Sequence, residues 1–137
     1  MAFATDQKAT DASQMIADLL TRNPTVTDSD INDAIEAGRM AMMPYNTSSY
    51  GADIMGIQFI GSNLTPTVEW HPTPYNMDSN ADMVDHAAGL GAEDEGVVAV
   101  TVRYVYEPYF SYYFTGPITM QEEAYARGRK GKFVTKS

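Results

Sequence analysis

The stretch Gly96–Pro108 constrains the fold of this chain more than any other, because its residue types and its period both require an extended backbone. β-Branched and aromatic residues occupy alternate positions on both faces, which is typical of a strand buried on both sides. One face carries Val98, Val100, Val102, Tyr104 and Tyr106, and the other Val97, Ala99, Thr101, Arg103 and Val105. Since this strand follows long helical and polar stretches, the order predicts helices first and an antiparallel sheet afterwards.

The N-terminal third predicts two helices. Residues 3–22 have apolar positions three and four apart and stop at Asn23-Pro24. A second helix begins after Thr27, with Asp30 three residues later as in a capping box, and runs to about Met43. The expected buried stripes are Ala9, Ala12, Met15, Ile16, Leu19 and Leu20 in the first helix, and Ile31, Ala34, Ile35, Gly38 and Met42 in the second.

The remaining strands are predicted from shorter patterns. Met55, Ile57 and Phe59 alternate on one face of a strand, and a turn at 61–63 leads into a second strand at 67–70. A polar connection from 71 to 96 holds at most a short helical turn near 82–88, and a last strand covers 118–125. The sequence therefore predicts a single α+β domain over 1–137, with N-terminal helices packed on an antiparallel sheet of about four strands.

Charge is distributed unevenly along the chain. The net charge is -9, all 18 acidic residues precede residue 124, and five of the nine basic residues follow residue 126. Such an acidic body repels nucleic acid and anionic membranes, so we expect neither as a partner except through the short basic tail. The basic segment 126–137 is expected to be a solvated, frayed tail. Cysteine is absent, which excludes disulfides, thiol nucleophiles and thiolate metal sites.

No set of residues has the spacing of a catalytic site. The serines lie in no nucleophile elbow, and no glycine-rich phosphate loop occurs. His71 and His86 stand at no metal or triad spacing and are expected to be surface or loop histidines. Glu122 and Glu123 point to opposite faces of their strand, so they cannot converge on one substrate. We predict that the protein is not an enzyme.

One motif resembles part of a calcium loop. Asp78, Asn80 and Asp82 match the first three positions of the D-x-N-x-D pattern. Met83 then occupies the glycine position and Gly89 the position of the bidentate glutamate, which excludes an EF-hand. We therefore predict no cofactor and weak or absent calcium binding. The alternative is an irregular calcium loop completed by the acidic residues at 93–95.

An aromatic run follows the central strand. It has three interpretations: closure of the core and a sheet edge, a contact surface for another protein, and a stacking platform for single-stranded nucleic acid. The acidic surroundings make the last the weakest. Tyr and Phe supply large contact areas with few rotatable bonds, so we expect at least two exposed rings and a partner contact. The candidate contact residues are Tyr109, Phe110, Tyr112, Tyr113 and Phe114.

The order of these segments resembles the TadE/TadG-like minor pseudopilins of the tight-adherence (Tad) pilus. The similarity lies in a first helix ending in the segment 14–20, a short helix opened by Val26-Thr27 and closed at Met43-Pro44, and a strand followed by Trp70. It continues in the alternating valines and tyrosines of 98–108 and in Ala124-Tyr125-Ala126-Arg127 near the end.

The resemblance implies a pilin-like fold and a non-enzymatic minor pilin that primes, caps or joins a pilus. The implied partners are other pilin subunits and the assembly machinery, with the domain in the periplasm and later in an extracellular filament. Family members begin with a short basic leader and a hydrophobic helix anchored in the inner membrane. Nothing before Phe3 matches these, so we expect residues 3–22 to continue an anchor that was removed. The alternative is a small periplasmic or secreted binding module that uses the acidic 76–96 loop for calcium or the tyrosine-rich loop for a ligand.

Overall fold

The computed structural model describes residues 2–43, 47–106 and 118–137. In these ranges the chain forms three helices and six strands in two sheets. The elements are, in chain order, α1 Ala2–Leu20, β1 Thr25–Val26, α2 Asp28–Ala41, β2 Gly51–Ile60, β3 Thr65–Trp70, α3 Asp82–His86, β4 Glu95–Tyr106, β5 Ile118–Lys132 and β6 Thr135–Lys136.

The larger sheet has four antiparallel strands in the order β3-β2-β4-β5. β4 is the strand that the sequence predicts as central, and it pairs with β2 on one side and β5 on the other. Its residues are buried on both faces between positions 97 and 102. The α+β class and the four-stranded antiparallel sheet are therefore confirmed, whereas the assignment of 1–137 to one domain stays a prediction.

α1 covers one face of this sheet, and α2 packs against α1. α1 contacts β4, β5 and α2. Since side chains alternate along a strand, this face carries the even-numbered residues of β2, β4 and β5. Residues of the helices and of the sheet form the core between them, which includes Ile16, Leu20, Ile31, Ala34, Ala52, Ile54, Val98, Val100, Val102 and Ala124.

The contact stripe of α1 differs from the predicted one. Met15 is 41% exposed and Leu19 is only partly buried, so their assignment to the core was wrong in the first case and too strong in the second. The helix instead buries a stripe of small residues on either side of Ile16, and these let its backbone approach the sheet closely. This stripe consists of Ala9, Ala12, Ser13 and Ala17.

The start of α2 confirms the predicted capping box. The Thr27 hydroxyl accepts a hydrogen bond from Asp30 N at 3.2 Å, and Thr27 N donates to Asp30 Oδ2 at 2.9 Å. Two backbone donors that no helical carbonyl can reach are thereby satisfied. The predicted stripe of α2 is also largely correct, since Ile31, Ala34 and Gly38 are buried.

We expect Thr27→Ala to lower the free energy of unfolding by about 1 kcal/mol, because it removes the side-chain half of the capping box. Urea melts followed by circular dichroism measure this. Ser29→Ala is the matched control, since Ser29 is an exposed hydroxyl residue in the first turn, and we expect it to change stability by less than about 0.5 kcal/mol. Equal losses in both variants would contradict the capping role.

The opposite face of the sheet is covered by the connection between β3 and β4. Met83 and Ala87, in and just after α3, are fully buried against Ile57, Phe59 and Ala99. The short helical turn predicted near 82–88 is therefore present. The connection makes a second, smaller core on this face.

The expectation of a frayed tail at 126–137 was wrong. β5 continues to Lys132, and β6 pairs in parallel with β1. Trp70 Nε1 donates to the Val134 carbonyl at 2.8 Å, and Lys136 Nζ lies 2.8 Å from Asp28 Oδ1. The tail's charge suggested solvation, but Val134 is 4% exposed and belongs to the main core. Strand pairing, the Trp70 hydrogen bond and the burial of Val134 together fix the segment.

Candidate functional site

A row of polar side chains crosses three strands of the sheet on the face covered by the connection. Asp53 of β2 pairs directly with Thr101 of β4, which pairs with Glu123 of β5. Directly opposed residues of antiparallel strands point to the same face. Asp53 and Thr101 are 1% and 0% exposed, so the row begins beneath the surface and reaches solvent near Glu123.

Asp53 supplies the buried carboxylate of this row. Its Oδ1 lies 2.6 Å from His71 Nε2, and its Oδ2 accepts from Asn80 N at 2.7 Å and from Ser79 Oγ at 3.1 Å. A buried carboxylate costs free energy unless hydrogen bonds satisfy it, and these three partners do so. All three come from the 71–80 segment, so Asp53 fastens that segment to the sheet.

The backbone brings these partners over β2 in two steps. After β3 the chain pairs again with β2, through Ala52 N to Tyr75 O at 2.9 Å and Tyr75 N to Ala52 O at 2.8 Å. Asn76 then adopts a positive φ of 53°, which asparagine tolerates better than most residues. Its Nδ2 donates to the Tyr50 carbonyl at 2.9 Å and fixes the turn. The chain beyond it crosses the face of the sheet.

Asn80 links the two ends of the polar row. Its Nδ2 donates to Thr101 Oγ1 at 3.0 Å and to Glu123 Oε2 at 2.6 Å. The side chain therefore acts as a donor within the fold. Of the other two residues of the calcium-like motif, Asp78 is exposed and Asp82 is the first residue of α3. Within the described ranges, no group of three or more His, Asp or Glu side chains is placed to hold a metal ion.

His71, Ser79 and Asp53 lie together but do not form a catalytic triad. In a triad the carboxylate and the hydroxyl bind opposite nitrogens of the imidazole. Here the same atom, His71 Nε2, lies 2.6 Å from the Asp53 carboxylate and 3.5 Å from Ser79 Oγ. Ser79 Oγ is also a direct donor to Asp53. The arrangement orients the carboxylate and the loop and gives no activated hydroxyl.

Glu123 forms the outer end of the row. Its Oε1 lies 2.7 Å from His86 Nδ1 and accepts from Tyr125 OH at 2.8 Å. Burial raises the pKa of Glu123, but the hydrogen bonds from Tyr125, His86 and Asn80 together lower it below the ordinary value. Burial, followed by the bond to Glu123, raises the pKa of Tyr125. Glu123 is thus held as a carboxylate by three donors.

The pKa of His86 is raised by its hydrogen bond to Glu123 and then by the charges of Glu123, Asp82 and Asp85. Its contribution to stability is full below the ordinary value of 6.5 and is lost as the pH rises through the raised value. The Glu123 contribution is present above the ordinary value of 4.5 and is lost as the pH falls through the lowered value. Both contributions are therefore complete between pH 4.5 and pH 6.5, and the pair stabilises the fold most in this range.

We expect NMR titration of the His86 ring to give a midpoint above 6.5, and Glu123→Gln to move it down towards that ordinary value. Glu93→Gln is the matched control, because Glu93 is an exposed acid of the same connection. It should leave the midpoint almost unchanged. An unshifted midpoint in the unmodified protein would contradict the ion pair.

The predicted contact residues Tyr109, Phe110, Tyr112, Tyr113 and Phe114 lie outside the described residues. The predicted calcium motif supplies only Asn80 to the polar row. Asp53, Thr101 and Glu123 were not predicted, although one signal existed for Asp53: it interrupts the apolar, buried run at 51–57 of β2. A charged residue inside a buried strand indicates a satisfied polar site.

No protein family, curated protein or solved structure matches this chain. None of the helices in the described ranges has the length and hydrophobicity needed to cross a membrane. Function is therefore inferred from the fold and the residues.

Proposed function

We propose that this protein is a minor pilin of a Tad-type pilus and acts through subunit contacts rather than catalysis. The observation that supports this most is the order of the elements: a long N-terminal helix that lies on the sheet, a capped second helix packed against it, and an antiparallel sheet whose central strand comes late in the chain. This is the order that the TadE/TadG-like resemblance implies.

The residues that carry the resemblance hold fixed positions in the fold. Leu20 closes α1 in the core, and Thr27 caps α2. Trp70 ends β3 and binds the C-terminal segment, while Ala124 of β5 lies under the helices. A family pattern made of core and capping residues specifies a scaffold, which fits a subunit whose function depends on its surface.

The polar row supports a non-catalytic role. Three donors from the protein itself already bind each of its acidic groups, Asp53 and Glu123, and Asp53 is only 1% exposed. A catalytic acid or base needs a lone pair or a proton that a substrate can reach. Here those groups hold the connection between β3 and β4 in place.

In this proposal the domain is periplasmic and belongs to a protein anchored in the inner membrane. The subunit enters the filament with other pilins and primes, caps or joins it. Residues 109–114 are the proposed contact region, since tyrosine and phenylalanine are enriched at protein interfaces. Calcium plays no part.

Gene deletion in the bacterium that encodes the protein tests this function. We expect the deletion to abolish or sharply reduce surface pili counted by electron microscopy, and the full-length gene to restore them. A gene carrying Tyr112→Ala with Tyr113→Ala should fail to restore the pili at equal protein level. A gene carrying Ser29→Ala, which changes an exposed residue distant in sequence from 112 and 113, should restore them. Normal piliation in the deletion strain would reject the proposal.

A further inference from the structure

A recess of about 480 Å³ opens beside the polar row, between the 77–80 segment and strands β4 and β5. Its volume falls within the range of small-molecule sites in proteins. It is lined by Met77, Asp78, Ser79, Asn80, Arg103 and Gln121. None of the contacts that hold the connection on the sheet uses the side chains of Arg103 or Gln121.

The recess is formed by the cross-strand row beside the polar row, two residues away along each strand. Arg103 of β4 pairs with Gly51 of β2 on one side and with Gln121 of β5 on the other. Gly51 has no side chain, and a Cβ there would lie 2.8 Å from the Asn76 carbonyl and 3.0 Å from the Tyr75 carbonyl. The connection therefore sits directly on β2 in this row. It leaves the two longer side chains of β4 and β5 uncovered.

Arg103 is the unusual member of this row. The side chain is half-buried, yet it makes no hydrogen bond or ion pair with any residue in the described ranges. Two other arginines are held by carboxylates, Arg39 by Glu36 and Arg127 by Glu95. The chain has a net charge of -9, so acidic residues that could pair with an arginine are abundant. Arg103 nevertheless stays unpaired within the described ranges, although it is partly desolvated. Even Asp78, in the same recess, does not bind it.

We propose that this recess binds a singly charged carboxylate that also carries hydroxyl groups, the chemistry of an acidic sugar. The planar guanidinium of Arg103 matches a carboxylate with two parallel hydrogen bonds. Gln121 binds hydroxyl groups as a donor and an acceptor, and the Ser79 oxygen, whose proton is donated to Asp53, accepts from another. Asp78 accepts from a further hydroxyl and repels doubly charged anions, so phosphate is disfavoured. This site does not depend on the pilin proposal.

NMR titration of the isotope-labelled chain with sodium D-glucuronate tests the site. We expect saturable shifts of the Gln121 side-chain amide and the Ser79 and Arg103 backbone amides, with an affinity of about 1 mM, typical of one good anchoring pair on a small ligand. D-Glucose, which lacks the carboxylate, and inorganic phosphate should each bind at least about tenfold more weakly, about 1.4 kcal/mol.

Arginine variants locate the binding. Arg103→Gln should lower the glucuronate affinity by about tenfold or more, because a charge-assisted bidentate pair is lost. Arg127→Gln removes the same charge from an exposed arginine on the neighbouring strand and should leave the affinity unchanged. Unaltered emission of Trp70 shows that each variant is folded. The proposal is overturned by unsaturable glucuronate shifts, by phosphate binding as tightly, or by equal losses in both variants.

Discussion

Gly56→Ala should destabilise the protein by about 3 kcal/mol, at the upper end of what overpacking a core costs. A Cβ at position 56 would lie 2.1 Å from Trp70 Cε2 and 2.2 Å from Trp70 Nε1, because the indole lies across the glycine from the neighbouring strand. The ring must therefore move, and its hydrogen bond to Val134 is lost with it. Urea melts measure the cost.

The single tryptophan of the chain reports this movement directly. Trp70 is 9% exposed, so its emission should shift to longer wavelength in Gly56→Ala as water reaches the ring. Gly61→Ala is the control: its Cβ would meet nothing within 4 Å, although its positive φ of 75° costs about 1 kcal/mol. That variant should lose stability without a change in emission. An unshifted emission in Gly56→Ala would contradict the contact.

Asp53→Ala should cost about 3 kcal/mol, because three donors lose their acceptor together and one of them, the Asn80 amide, is buried. Besides the lower free energy of unfolding, we expect the structure to loosen locally around residue 80. We expect hydrogen exchange at the Asn80 amide to become much faster than in the unmodified protein, since within the described part of the chain this amide donates to the Asp53 carboxylate alone. Exchange measured by NMR resolves this amide.

Asp78→Ala is the matched control for Asp53→Ala. It removes an exposed carboxylate from the same segment and should change stability by less than about 0.5 kcal/mol. A loss below about 1 kcal/mol in Asp53→Ala, with the Asn80 amide still protected, would mean that other contacts fasten the connection. The hydrophobic contacts of Met83 would then be the main restraint.

Local signals made part of this fold predictable. The alternation around Val100 predicted the central strand without knowledge of the strands that pair with it, because few other structures bury both faces of such a segment. Thr27 and Asp30 specified the start of α2, because a capping box lies entirely within four residues. The antiparallel sheet followed from the order of the elements.

Contacts between distant residues were not predictable in this way. In α1 the spacing of Met15 and Leu19 fits a buried stripe as well as that of Ala12 and Ile16 does, and only the shape of the sheet selects the stripe of small residues. The tail looked solvated because the contacts that hold it are with distant residues, such as the hydrogen bond from Trp70 to the carbonyl of Val134, 64 residues later.

The candidate site shows the same limit. Asp53, His71 and Glu123 are far apart in sequence, and strand register alone aligns Asp53 with Glu123 across Thr101. Within the calcium-like spacing of 78–82, Asn80 donates its amide nitrogen to Thr101 and Glu123, and the spacing alone does not predict those two contacts. An aspartate inside an apolar strand was the one usable signal.

The most direct test of the proposed function is to ask whether the protein is part of the filament. Pili sheared from cells that produce the full-length protein with a small epitope tag would be purified and labelled with gold-conjugated antibody. We predict gold on the filaments of the tagged strain and none on those of an untagged strain. Filaments that form normally but never carry the label, while the protein stays in the periplasmic fraction, would contradict the account.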